Sequence, residues 1–502
     1  MSEIFKPSGS NIFTIPPGAN FLDELATTLA DTLNLAGDPE ALADTLIYVP
    51  NRRSERALAF ALHKAGGRGA SLLPDIRALG DLETDDPPPS AEAALADLPP
   101  VLSPGQRIGS LTRLVMAYFD ANGAQLPAAA CLSAARELAR LLDQSALSGD
   151  VDWQQLKSED LGGHLARHWQ QSLEFLSIIT DQWPAKLEEA TAMDPYARRY
   201  AAAEAMAAHW DAHPPETPVI IAGSTGATPA SRLLMAAALR LPKGVVVLPG
   251  LNLDLAPDAL DPIQNSPSHP QFALVHTLKA LGLAPSQVTP WPGYSSQAHQ
   301  SARRRLIHEA LAPAINTADW TERLAAMAPD GDTASFVTTA LSGLTHISAQ
   351  DDHEEALLAA LILRETLEHD GRTAALVTPD AGLARAVSAM LKRWDIDLAP
   401  SSGLPLPQSD AGSFVLLVAD WGLDPADPVA LMALLNHQAC RFDDRTIAAL
   451  DHFVLRGVRL WNGWSDLVAQ FERLVAPDAD RPLSCAADQI QAMRTLLEAL
   501  SP

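Results

Sequence analysis

The chain has 502 residues, 47% of them hydrophobic, and carries 61 acidic against 36 basic side chains for a formal net charge of −25. That length and apolar content imply two to four domains of ordinary size. The acidic excess excludes generic adhesion to nucleic acid, which needs concentrated Lys and Arg, but leaves room for a local basic groove.

The opening residues Met1–Lys6 lack the basic and apolar regions of a secretory signal, and no apolar run is long enough to cross a bilayer. A cytoplasmic protein with no membrane partner is expected. Ile12–Phe21 then runs from an apolar stretch through Pro16-Pro17-Gly18-Ala19-Asn20 into a helix. Thr45–Val49 reads as a strand stopped by Pro50, with helical periodicity over Asn51–Leu62. Leu72–Arg77 is a second extended segment and Asp85–Ser90 an exposed linker. From Ser103-Pro104, a cap followed by a first-turn proline, the pattern changes to long amphipathic helices that include Leu132–Leu147 and Leu165–Leu176. The α/β pattern returns at Pro218–Gly226 and Gly244–Gly250, with a helix from Thr228 between them, which suits a parallel βαβ crossover. Residues 270–345 read as mostly helical. A further α/β unit is expected at Leu344–Ala349 (strand), Asp351–His369 (helix), Thr373–Pro379 (strand) and Gly382–Trp394 (helix), and the chain from Pro425 reads as helical.

The chain thus divides into residues 1–102, the start of an α/β lobe; 103–212, a helical insertion; 213–343, the rest of that lobe with a helical extension; 344–424, the start of a second α/β lobe; and 425–502, a helical segment expected to be truncated.

Basic or polar residues follow the carboxyl ends of apolar strands at Val49-Pro50-Asn51-Arg52-Arg53 and at Val377-Thr378-Pro379-Asp380. That edge of an open parallel sheet is where ligands bind. Arg52, Arg53 and Arg56 are therefore candidate contacts to a DNA backbone; the competing reading is that they cap the sheet edge against acidic neighbours such as Glu55. The other arginine clusters, Arg198-Arg199 and Arg303-Arg304-Arg305, read as solvated helix faces. Pro17 and Gly18 stand where a motor would place its phosphate loop, but with one glycine and no lysine. Gly223-Ser224-Thr225-Gly226 stands where the acidic pair that holds magnesium would fall. No Gly-Lys pair occurs anywhere in the chain, so neither loop is a Walker A motif, and Gly223–Gly226 reads first as a tight turn that lets the following helix pack.

Further chemistry is not indicated. Cys131, Cys440 and Cys485 lie too far apart for a disulfide framework and argue against a zinc or iron–sulfur site. His164 and His168 lie one turn apart without the glutamate of a zinc-protease helix, and Asp351–Glu355 reads as a helix-start acidic cluster. No catalytic residue and no metal ligand is assigned.

Ala222–Ala230 followed by Gly244–Leu251 resembles the AddB subunit of the AddAB helicase–nuclease in its alphaproteobacterial form. Val49–Arg53, Leu72–Arg77 with Gly80-Asp81, His168–Gln170 with Phe175-Leu176, His269–Gln271, Ala375–Asp380, Arg393-Trp394 and Ser402–Leu406 agree in order, so the resemblance reaches to about residue 435. It implies superfamily 1 helicase-like (RecA-like) lobes with large α-helical insertions in a multi-domain α/β protein. It also implies an AddA-type partner that supplies ATP, magnesium and the motor, single- and double-stranded DNA ends as ligands, and a role in double-strand break repair and recombination. The family's carboxyl half carries a nuclease with an iron–sulfur cluster; that half is expected to be missing here, as is any cofactor. Near Asn436–Cys440 the match loosens, which reads as a truncated frame or a fragment. The rival readings are an active ATP-dependent DNA helicase subunit and a non-functional remnant.

Overall fold

The computed structural model describes residues 4–5, 11–35, 38, 40, 42–67, 72–81, 92–149, 151, 153, 166–253, 255, 259–294, 298–314, 320–328, 331–398, 400–401, 403, 405–459, 461–476 and 486–500. The segment Asp85–Ser90, His164 and Cys485 lie outside these residues. The chain forms two compact units, Met1–Leu344 and Thr345–Pro502. Among the described residues no helix is long and apolar enough to cross a membrane.

The first unit is α/β. Six strands, β1 (Ile12–Ile15), β2 (Leu46–Val49), β3 (Asp75–Ala78), β4 (Val219–Ala222), β5 (Gly244–Pro249) and β6 (Thr289–Pro290), form one sheet in the order β3-β2-β4-β5-β1-β6, with every pairing parallel. The central strands are apolar runs without polar alternation because both faces are covered. Their side chains still alternate between the two cores. Phe13, Ile15, Ile47, Val49, Ile220 and Val247 point into one core with helices α1 (Phe21–Thr32) and α2 (Arg52–Ala65). Ile12, Tyr48, Val219, Ile221, Val246 and Leu248 point into the other. There they meet the helices Pro195–Ala212, Pro229–Arg240 and Phe272–Ala280.

The connection from β3 to β4 holds the helical insertion, whose longest members are α3 (Pro104–Ala121) and α4 (Ala128–Ser148). They enclose a separate core around Leu111, Val115, Leu138, Ile178 and Trp183. Ser103 starts α3 through a capping box with Gln106, and the proline after it takes the first helical position, where its missing N–H costs nothing. The last helix before β4, α5 (Pro195–Ala212), lies on the sheet: Ala202, Ala203, Met206 and Trp210 belong to the sheet core. An ion network fastens the insertion to it. Arg107 Nε donates to Asp194 at 2.8 Å, Arg107 Nη2 donates to Asp143 at 2.7 Å, and Trp183 Nε1 donates to Asp194 at 3.3 Å. Burial by itself would lower the Arg107 pKa, but the Asp143 hydrogen bond and the Asp194 charge raise it on balance.

Helix α6 (Pro229–Arg240) crosses from β4 to β5, and α7 (Phe272–Ala280) lies between β5 and β6. From β1 to β3 the chain steps toward one edge of the sheet, and from β4 to β6 it steps back. With right-handed crossovers that reversal puts α1 and α2 on one face and α5, α6 and α7 on the other. The neighbours β1 and β5, and the neighbours β2 and β4, therefore send their chains to opposite faces. In open α/β sheets the carboxyl edge at such a switch point is where ligands bind.

The second unit is helical in its described residues. Helices α8 (Asp352–Leu367) and α9 (Ala381–Lys392) pack through Ala356, Ala360, Val387 and Leu391. The helices from Asp410 onward build a second core around Leu431, Leu450, Leu467, Phe471 and Leu496. The strands expected at Leu344–Ala349 and Thr373–Pro379 do not form. Both segments are non-helical and mostly exposed, Val377 to 93%, and neither pairs with another described segment. The βαβ pattern is present, but the hydrogen bonds that would make its extended parts a sheet are not.

Candidate nucleic-acid interface

Every loop singled out from the sequence in the first unit lies at one carboxyl edge. The loop after β1 contains Pro17 and Gly18, that after β2 contains Pro50 and Asn51 and leads directly into Arg52 and Arg53 at the start of α2, that after β4 is Gly223–Gly226, and that after β5 contains Gly250.

The loops after β1 and β5 are packed against each other, and the loop after β4 is packed against Phe21 and Pro50. Gly250 donates its N–H to the carbonyl of Ile15 at 2.8 Å, and a Cβ on Gly250 would stand 3.3 Å from Pro17 Cγ. A Cβ on Gly223 would stand 3.2 Å from the Phe21 ring and 3.5 Å from Pro50 Cδ. Buried Thr14 joins the strands beneath: its hydroxyl donates to the carbonyl of Leu248 at 3.1 Å and accepts from the N–H of Leu251 at 3.0 Å.

Two features of these loops disfavour a nucleotide phosphate. The first turn of α1 carries Asp23 and Glu24, and Asn20 Nδ2 donates to Asp23 at 2.6 Å. These carboxylates already occupy the positive end of the helix dipole and would repel an anion. In Gly223–Gly226 two of the N–H groups that could face a phosphate are already engaged, Gly223 N donating to Val247 O at 2.9 Å and Gly226 N to Ser224 Oγ at 3.2 Å, and two carbonyls are held as well. Thr277 Oγ1 donates to Thr225 O at 2.8 Å, and Arg232 Nη1 donates to Gly226 O at 3.1 Å. The helix that follows is capped by Thr228, whose hydroxyl accepts from Ser231 N, with Pro229 at the first position. Gly226 has φ +68°, a left-handed conformation that suits glycine. Phe21, Thr277 and the first-turn acids were not singled out from the sequence; only the Asp23-Glu24 pair, just after the proline loop, carried a readable signal.

The loop after β2 is different. Asn51 takes an extended backbone, and its Oδ1 accepts from the N–H groups of Arg53 and Ser54 at 3.1 and 3.0 Å, starting α2 at Arg52. Leu58, Ala61 and Leu62 bury one face of the helix. Arg52, Arg53 and Arg56 are exposed on the other, with only Glu55 as an acid in the first turn. Cations at a helix N-terminus oppose the macrodipole, at roughly 0.3–1 kcal/mol each. The helix dipole by itself therefore does not account for these arginines. Their positive field adds to that of the helix end.

The other two arginine clusters make identifiable structural contacts. Arg198 is buried and donates to Pro99 O at 2.9 Å, and Arg199 lies over the Tyr196 ring at 4.9 Å. Arg303 donates to Ala340 O at 3.0 Å, Arg304 to the Tyr294 hydroxyl at 3.1 Å, and Arg305 lies over the Phe336 ring at 5.7 Å. In a chain of net charge −25, α2 thus presents an exposed basic face of arginines at the sheet's carboxyl edge. Among the described residues no three His, Cys, Asp or Glu side chains gather in a metal-binding arrangement. Asp351 caps α8 by accepting from Glu354 N at 2.8 Å.

No protein-family model matches the chain, and no curated protein matches it in sequence.

Proposed function

We propose that this chain is an AddB-type subunit: superfamily 1 helicase-like (RecA-like) lobes with large helical insertions that hold a DNA strand for an AddA-type ATPase motor. The setting is DNA end resection and double-strand break repair, in the cytoplasm. ATP and magnesium chemistry belong to the partner, and no nuclease role falls to the residues of this chain.

The observation that carries the proposal is the contrast along one sheet edge. The loops where a motor would hold nucleotide are packed with Pro17 and Phe21 and followed by Asp23 and Glu24 in the first turn of α1, whereas the first two turns of α2 expose Arg52, Arg53 and Arg56. A helicase-like sheet with a closed nucleotide site and an exposed basic helix suits strand holding without ATP turnover. The collinear motif set from Val49 to Leu406 supports the family, and the closed loops weigh against an active helicase.

The test is co-purification of the full chain with an AddA-type motor subunit, followed by single-stranded DNA binding on the product. A stable complex that binds DNA, and loses affinity on Arg52→Glu/Arg53→Glu, supports the proposal. A chain that neither docks nor binds is the remnant. ATP turnover by the isolated chain would reinstate the helicase reading.

A further inference from the structure

Helix α2 carries more than arginines. Phe60 stands on the same outward face and is 70% exposed. Arg53, Arg56, Phe60 and Lys64 follow one another at spacings of three, four and four residues, which puts them in one stripe along a helix. All four are exposed. Arg56 and Lys64 therefore bracket the ring at about 6 Å of helix rise on each side. The opposite face, Leu58 and Leu62, holds the helix to the sheet, so the ring has no part in that core.

A single exposed aromatic needs no explanation by itself. Its setting does, because flanking cations make an apolar protein contact at this ring expensive to desolvate. A single nucleic-acid strand satisfies both demands at once: its phosphates neutralise the arginines and lysine, and an unstacked base lies on the phenyl face. Duplex DNA satisfies only the first, since its bases are already stacked.

We propose that Phe60 is a base-stacking platform that makes the α2 stripe selective for single-stranded over duplex DNA. This rests on the strand-holding role proposed above and specifies its ligand. Arg53, Arg56 and Lys64 supply charge without regard to base pairing, and Phe60 supplies the discrimination.

The experiment uses the full chain, fluorescence anisotropy, a labelled oligothymidylate, and a labelled duplex of the same length. Phe60→Leu, which keeps an apolar side chain but removes the π face, is expected to weaken oligothymidylate binding roughly 5- to 150-fold, the range of one lost base stack. Duplex binding is expected to stay unchanged, and Phe60→Trp to restore single-strand affinity. Thermal melting of each variant reports the fold, which an outward side chain should not disturb. Equal losses on both DNAs, or Phe60→Leu binding oligothymidylate as tightly as Phe60→Trp, would overturn the stacking role. If wild type binds single strands through the arginines and Phe60→Leu has no effect, stacking is refuted while the strand-holding role stands. If wild type binds neither DNA, both fall. Intact DNA binding with lost docking to the motor subunit would make the stripe a protein interface and also refute the proposal.

Discussion

Replacing Arg52, Arg53 and Arg56 together with glutamine gives a direct measure of the basic face. On single-stranded nucleic acid each neutralised phosphate contributes about −0.7 to the slope of log affinity against log salt. Helix α2 exposes four cations, the three arginines and Lys64, so their full engagement is worth a slope of about −2.8 and the triple variant should lose about 2.1 of it. Over a fourfold rise in salt, from about 50 to 200 mM, the affinity gap between wild type and variant should therefore narrow by roughly 20-fold. The structure also says what happens to the fold. All three side chains are exposed, and contacts of exposed charged groups contribute only about 0–1 kcal/mol, so their removal should change thermal stability little. The assay is a salt titration of oligothymidylate binding with a melting curve alongside. Parallel salt dependences for the two proteins would remove these residues from the DNA path. A fall in melting temperature with the loss of binding would mean that they cap the sheet edge, as the competing reading of the sequence has it.

Three other perturbations test the architecture. Asp194→Ala leaves Arg107, which is 8% exposed, with Asp143 as its charged partner and deprives Trp183 of its acceptor; urea unfolding should show a loss of about 3 kcal/mol or more, and Arg107→Met with Asp194→Leu should cost less than Asp194→Ala alone. If the losses simply add, the buried pair is not the fastener described. Gly226→Ala should cost about 2–3 kcal/mol, combining a left-handed φ of +68° with a Cβ only 2.4 Å from Thr277 Oγ1, whereas Gly18→Ala, at φ +90° with nothing within 4 Å, should cost about 1 kcal/mol; equal costs would show that Thr277 yields freely. Burial lowers the pKa of His269 below its usual 6.5, and its Nδ1 accepts from Gln271 N at 3.1 Å. The unfolded chain then binds the proton first, so stability should be fully present above pH 6.5 and fall as pH drops below it. His269→Gln should flatten that fall in pH-dependent melting, and an unaltered profile would show that His269 does not contribute.

Much of the first unit was legible because its central strands are short apolar runs that end in proline or glycine: Val49-Pro50, Ala222-Gly223 and Pro249-Gly250. Such runs are dictated by burial on both faces. Edge strand β6, of only two residues, leaves no periodicity to read. The candidate site was half legible. The missing lysine after β1 is a local fact, whereas the closure of Gly223–Gly226 depends on Thr277, more than fifty residues further on and on another helix. Likewise the doublet Arg52-Arg53 announces charge, but only the burial of Leu58 and Leu62 settles that Phe60 faces outward with it.

The second unit shows where a correct local pattern fails. Thr345–Ala349 and Thr373–Thr378 have the apolar, β-branched character of strands and flank a well-formed helix, yet no described segment pairs with them. A helix closes its hydrogen bonds within itself, so α8 and α9 form from local sequence and pack on each other. An extended segment closes none until a neighbour arrives, and a βαβ unit alone supplies too little sheet to hold its own edge. Periodicity can therefore announce a helix outright, but it announces a strand only conditionally. In the first unit the condition is met by β4 and β5, which stand between β1 and β2 and carry the pairing across the sheet. The same sequence logic thus gives a six-stranded sheet in one unit and two exposed extended segments in the other.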